Sequence, residues 1–111
     1  MEMPTCSAYQ YVNLLSPNGV STRLRAYCDW TSEDSYIHPN VVDCVDPEEW
    51  VNIQPCDEDS MISRESGDCF PVYGKLYITL DYNQRILARE FLLADMDGAI
   101  ILGKDILKNH N

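Results

Sequence analysis

The chain has 111 residues, 45% of them apolar and 23% charged, and a formal charge of −10 at pH 7. That length suits one domain with a single core, burying roughly two-thirds of its unfolded surface. No apolar run approaches the roughly 18 residues of a membrane span, the start Met1-Glu2-Met3-Pro4-Thr5 lacks the basic-then-apolar order of a signal peptide, and the acidic balance argues against a phosphate-backbone binder.

Residues 9–15 (Y-Q-Y-V-N-L-L) mix aromatic and branched side chains and predict a strand. Ser16-Pro17-Asn18-Gly19 is a turn signal. A second strand is expected over residues 20–28, where Leu24, Ala26 and Cys28 alternate with Arg23, Arg25 and Tyr27, so one face looks inward. These two strands make a hairpin. A polar turn follows from Asp29 to Asp34, then a short apolar piece at Tyr36-Ile37. His38, before Pro39, reads as a surface residue. Asp46-Pro47-Glu48-Glu49 is a helix-start pattern: Asp caps, Pro fits the first turn, and the glutamates favour the positive end of the dipole. Pro55 and the acidic run Asp57-Glu58-Asp59 keep that helix short.

The last third has the clearest periodicity. Leu76, Ile78 and Leu80 alternate with Lys75, Tyr77, Thr79 and Asp81, as a half-buried strand requires. Asp81-Tyr82-Asn83-Gln84 can turn the chain, and residues 86–94 return as a strand. Met96-Asp97-Gly98 turns it again. Ala99-Ile100-Ile101-Leu102 is short, apolar and expected to be buried; Gly103 ends it, and residues 104–109 predict a terminal helical turn. Strands and turns at this spacing argue for a mostly β domain, a small antiparallel barrel or sandwich with one or two short helices.

The charge is local. Residues 43–68 hold nine acidic residues and one basic, Arg64, so this stretch carries −8 of the −10. It reads as a solvated loop or as a surface that attracts a basic partner. The five cysteines, Cys6, Cys28, Cys44, Cys56 and Cys69, include no C-x-x-C pair, so no zinc or redox signature is present. A reduced, intracellular protein, cytoplasmic or nuclear, is expected, with a Cys44–Cys56 disulfide left open. His38 and His110 have no companion ligands, so neither a metal site nor another cofactor is expected.

Three motifs occur in order near the C-terminus: Pro71-Val72-Tyr73-Gly74, then Phe91-Leu92-Leu93-Ala94-Asp95, then Ile101-Leu102-Gly103-Lys104-Asp105-Ile106-Leu107. This pattern resembles the retropepsin-like aspartic proteases of retroviruses and LTR retrotransposons, which read P-x-Y-G, F-x-x-A-D and I-L-G-x-D-F-L. The resemblance covers nearly the whole chain and is strongest over the last forty residues. It implies one closed antiparallel β barrel of the retropepsin type over residues 1–111, as a domain excised from a longer protein. It places Asp29 at the catalytic aspartate, in an active-site loop continued by Trp30, Thr31 and Ser32. It places Ser66, Gly67 and Asp68 at the tip of the flap, and Leu102, Gly103 and Asp105 in the support behind the loop. Read for themselves, Gly67 is a turn residue and Asp105 a structural residue at the start of the last helix.

Aspartic proteolysis needs two carboxylates sharing one proton, one to activate water and one to polarise the scissile carbonyl. This chain offers one such motif, so two copies must meet on a two-fold axis. The family's Asp-Thr/Ser-Gly-Ala is here Asp29-Trp30-Thr31-Ser32. The hydroxyl that the family uses to rigidify the two loops is replaced by an indole, and the glycine by a branched residue. The expectation is a retropepsin-like domain with lost or reduced protease activity, acting as a homodimerising protein–protein interaction module. The alternatives are an active homodimeric endopeptidase using one Asp29 per chain, with peptide as substrate, and a monomeric peptide-binding adaptor. The expected partner is itself or another protein, with no direct nucleic-acid or membrane role.

Overall fold

The computed structural model describes residues 9–17, 19–45, 53–55, 61–63 and 69–108. These form eight strands and two short helices in the order β1 (Tyr9–Leu15), β2 (Ser21–Cys28), β3 (Ser35–Ile37), α1 (Pro39–Val45), β4 (Gln54–Pro55), β5 (Met61–Ser63), β6 (Cys69–Tyr82), β7 (Arg85–Ala94), β8 (Ile100–Leu102) and α2 (Lys104–Leu107). The hairpin expected at the start is present, with Tyr9 opposite Tyr27 and Leu15 opposite Ser21.

Six strands close a barrel in the order β1-β2-β8-β3-β7-β6, and β6 returns to β1 through Asn13↔Asp81, Leu14↔Leu80 and Leu15↔Thr79. Four seams are antiparallel. Two, β2–β8 and β3–β7, are parallel. Parallel neighbours require a long crossover, and here each pair is separated by tens of residues, so the spacing of short strands did not reveal them. The apolar alternation read from the sequence fills the barrel: Val12, Leu14, Ala26, Ile37, Leu76, Leu80, Phe91, Leu93, Ile100 and Leu102 share one core with Ile106 and Leu107 of α2.

The long strand β6 serves two structures. Its first residues pair with β5 as a separate hairpin, Ser63↔Cys69 to Met61↔Pro71. Its later residues pair with β7 in the barrel wall, with a register shift between Val72 and Gly74 that leaves Tyr73 as the extra residue. A bulge of this kind bends the strand, and it falls where the pairing with β5 gives way to the barrel wall. Gly74 sits where β4 crosses: a Cβ there would lie 2.7 Å from the Gln54 carbonyl oxygen and 2.6 Å from Ile53 Cγ2. The Pro-x-Tyr-Gly motif is therefore a bend followed by a close backbone approach.

Two expectations differ from the structure. Helix α1 begins at Pro39, and His38 is its cap: the Asn40 N–H donates to His38 Nδ1 at 3.0 Å and the Val41 N–H to the His38 carbonyl at 3.0 Å. A His cap carries none of the usual Ser/Thr/Asp/Asn signal, and the helix start expected at Asp46 lies outside the described residues. His38 is also not a bare surface residue, since its Nε2 lies 3.4 Å from Asp95 Oδ1. Cys44 is a free thiol, so the Cys44–Cys56 bridge is not formed; Cys6, Cys56 and His110 lie outside the described residues.

Candidate active-site loop

Strand β2 ends at Cys28, and the next residue enters a tight loop. The Asp29 N–H donates to the Leu102 carbonyl at 2.9 Å, extending the β2–β8 pairing by one bond. The chain then turns back on itself, with the Ser32 N–H reaching the Asp29 carbonyl at 3.2 Å. Asp29 is 6% exposed. Its Oδ1 accepts the Thr31 N–H at 3.0 Å and the Thr31 hydroxyl at 2.5 Å. A buried carboxylate is costly unless donors satisfy it, and these two donors come from the residue that stands where the family pattern has glycine.

Trp30, the next residue, is not buried with the carboxylate. It is 54% exposed, so it does not fill the volume beside the carboxylate. The Ser32 hydroxyl donates to the Asp34 carbonyl at 2.9 Å and lies 2.9 Å from the Tyr36 hydroxyl.

The loop is held from behind by the segment after β8. The Lys104 N–H, first in α2, donates to the Ser32 carbonyl at 2.8 Å. Gly103 is buried against the loop backbone, and a Cβ there would overlap the Asp34 carbonyl and lie 2.9 Å from the Ser32 carbonyl oxygen. Only glycine fits. The Gly103 N–H donates to Ser35 Oγ at 2.9 Å, and the Ser35 hydroxyl donates to Asp105 Oδ1 at 2.6 Å. Burial pushes the Asp105 carboxyl above its usual range, and nearby Asp34 adds to this; the bonds from Ser35 and from the Ile106 backbone, with Arg89, pull it back. An outer ion pair, Lys104 Nζ to Glu33 Oε2 at 3.1 Å, links α2 to the loop. Its Glu33 side chain is 78% exposed, so its contribution is about 1 kcal/mol or less.

The structure thus brings together Asp29, Trp30, Thr31 and Ser32 with Leu102, Gly103 and, through Ser35, Asp105. Ser66, Gly67 and Asp68, expected at the flap tip, lie outside the described residues; the strands on either side of them, β5 and β6, pair antiparallel. Two residues escaped the sequence reading. Ser35 is fully buried and joins both halves of the site, and Tyr36 contacts the loop through Ser32. Ser35 opens a three-residue strand, and a hydroxyl at that position has no distinguishing pattern in one sequence.

Comparison with solved structures returns the same architecture. The protease of EIAV, in complex with the inhibitor HBY-793, matches 91% of this chain and 85% of its own with a TM-score of 0.64 at 19% identity. The retroviral protease-like domain of Ddi1 from Leishmania major matches 94% of this chain and 78% of its own with a TM-score of 0.59 at 16% identity. The chain has the retropepsin-like fold. Simian foamy virus (mac) protease also matches, covering 90% of this chain and 91% of its own, with a TM-score of 0.51 at 17% identity. The chain matches no protein-family model and no curated protein. Among the described residues of this retropepsin-like barrel, no cluster of three or more His, Cys, Asp or Glu could hold a metal ion, and no helix is long and apolar enough to cross a membrane.

One copy of the loop presents one held carboxylate. Such a group can orient a water or accept a proton, but the shared-proton chemistry of an aspartic protease needs a second carboxylate about 3 Å away.

Proposed function

We propose that this retropepsin-like domain is an intracellular homodimerising interaction module in which proteolysis is lost or reduced. The observation that carries the reading is Trp30, exposed on the loop that bears Asp29. By the resemblance, that loop faces the two-fold axis of a dimer. A large indole there offers an apolar anchor to a second copy, and tryptophan is enriched at the centres of interfaces. The same bulk stands where the family places a small hydroxyl, which separates the two loops and the two carboxylates. Sedimentation equilibrium over a concentration series tests the association. A dimer weakened by Trp30→Ala supports it, and a monomer at every concentration overturns it.

A second reading, an active homodimeric endopeptidase, is favoured by the Asp29 carboxylate itself, buried and held by both donors of Thr31. A diverse peptide library assayed between roughly pH 4 and 7 separates the two. No cleavage that depends on Asp29 is expected. Turnover abolished by Asp29→Asn establishes the second reading in place of the first.

A further inference from the structure

The outer face of the β1–β2 hairpin carries a strip that the active-site loop does not use. Tyr9, Tyr11, Arg23 and Arg25 are all exposed. The register sets Tyr11 opposite Arg25 and Tyr9 opposite Tyr27, and the two-residue period of a strand puts all five side chains on one face. Each guanidinium lies over the ring diagonal to it. Arg23 is 4.1 Å from the centroid of Tyr11, and Arg25 is 4.1 Å from that of Tyr9. Tyr9 meets Tyr27 edge-on, with centroids 5.3 Å apart. Stacking on a ring fixes the plane of a guanidinium and leaves its N–H edge to bind a carboxylate.

Charge sets this strip apart. Residues 9–28 contain two arginines and no Asp or Glu, +2 in a chain of −10. Among the described residues the ion pairs are His38–Asp95, Lys75–Glu90 and Lys104–Glu33, so neither arginine is paired. Among the described residues the neighbouring backbone is unpaired on one side as well. β1 meets β6 only at Asn13, Leu14 and Leu15, so its edge at Gln10, Tyr11 and Val12 has no strand partner among the described residues. A free edge beside a fixed row of side chains accepts an added strand.

We propose that this edge and strip are a docking surface for an extended acidic peptide of another protein. The added strand bonds to the β1 backbone, and its alternate side chains fall on the strip. Two carboxylates two residues apart then meet Arg23 and Arg25 as charge-assisted bonds. A nucleic-acid strand fits less well, because its regular phosphates meet the negative field of the whole chain while only two cations answer them. The surface functions whether or not the active-site loop is catalytic or dimeric, so its failure and the failure of that reading are separate results.

The test is a titration of the 15N-labelled full chain with three probes: a ten-residue peptide of alternating Glu and Val, its Lys–Val counterpart, and a ten-nucleotide oligouridylate. The expected result is movement of the amides of Gln10, Tyr11, Val12, Arg23 and Arg25 with the Glu–Val peptide alone, weakened by salt. Joint charge reversal, Arg23→Glu with Arg25→Glu, should weaken binding by about tenfold or more. Both side chains are exposed, so folding should survive; Arg23→Gln with Arg25→Gln and Tyr11→Ala are milder variants that should weaken it less. The proposal is overturned by shifts confined to other surfaces, by unchanged affinity in the charge-reversed variant, or by equal response to either comparison probe. Hairpin shifts that grow with protein concentration in the absence of peptide would assign the face to self-association and also overturn it.

Discussion

Ser35 is a small side chain with two obligations. Its hydroxyl accepts from the Gly103 N–H and donates to Asp105 Oδ1. Ser35→Ala leaves the buried Gly103 N–H without its acceptor and the half-buried Asp105 without one of its donors, and an orphaned buried group costs about 1–3 kcal/mol. A loss of about 1–3 kcal/mol is expected in urea denaturation, and a loss below about 0.5 kcal/mol would show that the bridge is not structural. Asp105 gives the same network a pH dependence. Its carboxyl is raised chiefly by burial. Below the ordinary aspartate value both folded and unfolded chains are protonated, and the group contributes nothing to the slope. Between that value and the raised folded one, the folded chain holds more protons, so stability falls as pH rises through this window and levels off above it. Asp105→Asn lacks the group. The stability of the wild type relative to that variant should therefore decline across the window and then stay flat, which denaturation at a series of pH values measures. A relative stability that rises with pH would refute the assignment.

At the scale of an element, the turn between β6 and β7 shows what a sequence pattern carries and what it omits. Asp81-Tyr82-Asn83-Gln84 signals a turn, but the strand runs on through Tyr82 and resumes at Arg85, with Tyr82 opposite Arg85. The turn is two residues, Asn83 at φ 56° and Gln84 at φ 65°. Two positive φ values in succession make the hairpin turn whose twist matches the flanking strands. Asn tolerates that conformation; Gln gains nothing from it. Gln84→Gly should stabilise the protein by about 1 kcal/mol, and Gln84→Val should destabilise it, both read as shifts in the denaturation midpoint. The same logic explains what was legible elsewhere. β1, β2, β7 and β8 announced themselves because a barrel wall enforces alternation or a short apolar run. The C-terminal motifs were legible because Gly74 and Gly103 each sit under another backbone segment, which leaves no latitude in residue type. Helix α1 was not, since a histidine cap has no sequence signature. The parallel seams were not, since pairing across tens of residues depends on closure of the whole barrel.

At the scale of the whole molecule, what faces the Asp29 loop decides its chemistry. The resemblance places Asp29, Trp30, Gly103 and Asp105 at one site; in the structure the Asp29 N–H bonds to the Leu102 carbonyl, and Ser35 ties Gly103 to Asp105. The role of Thr31 was less legible, because a hydroxyl two residues past an aspartate binds that carboxylate only once the turn is made. A homodimer built on this loop makes two demands that a dimer built elsewhere does not. Folding coupled to association makes the thermal midpoint rise with protomer concentration, and Trp30→Ala should flatten that rise by removing an exposed anchor. Asp29→Asn should change that association little, because the indoles keep the two carboxylates apart. Carboxylates that met across a two-fold axis would be like charges whose repulsion opposes association, and neutralising both would relieve it. An Asn variant that dimerises more tightly than the wild type in sedimentation equilibrium would therefore overturn the separation, while Glu33→Gln, on the exposed outer part of the same loop, should change little. If Asp29→Asn leaves the association constant unchanged while Trp30→Ala abolishes the dimer, the indoles meet but hold the carboxylates apart. That arrangement cannot perform shared-proton hydrolysis, whatever peptide is offered to it.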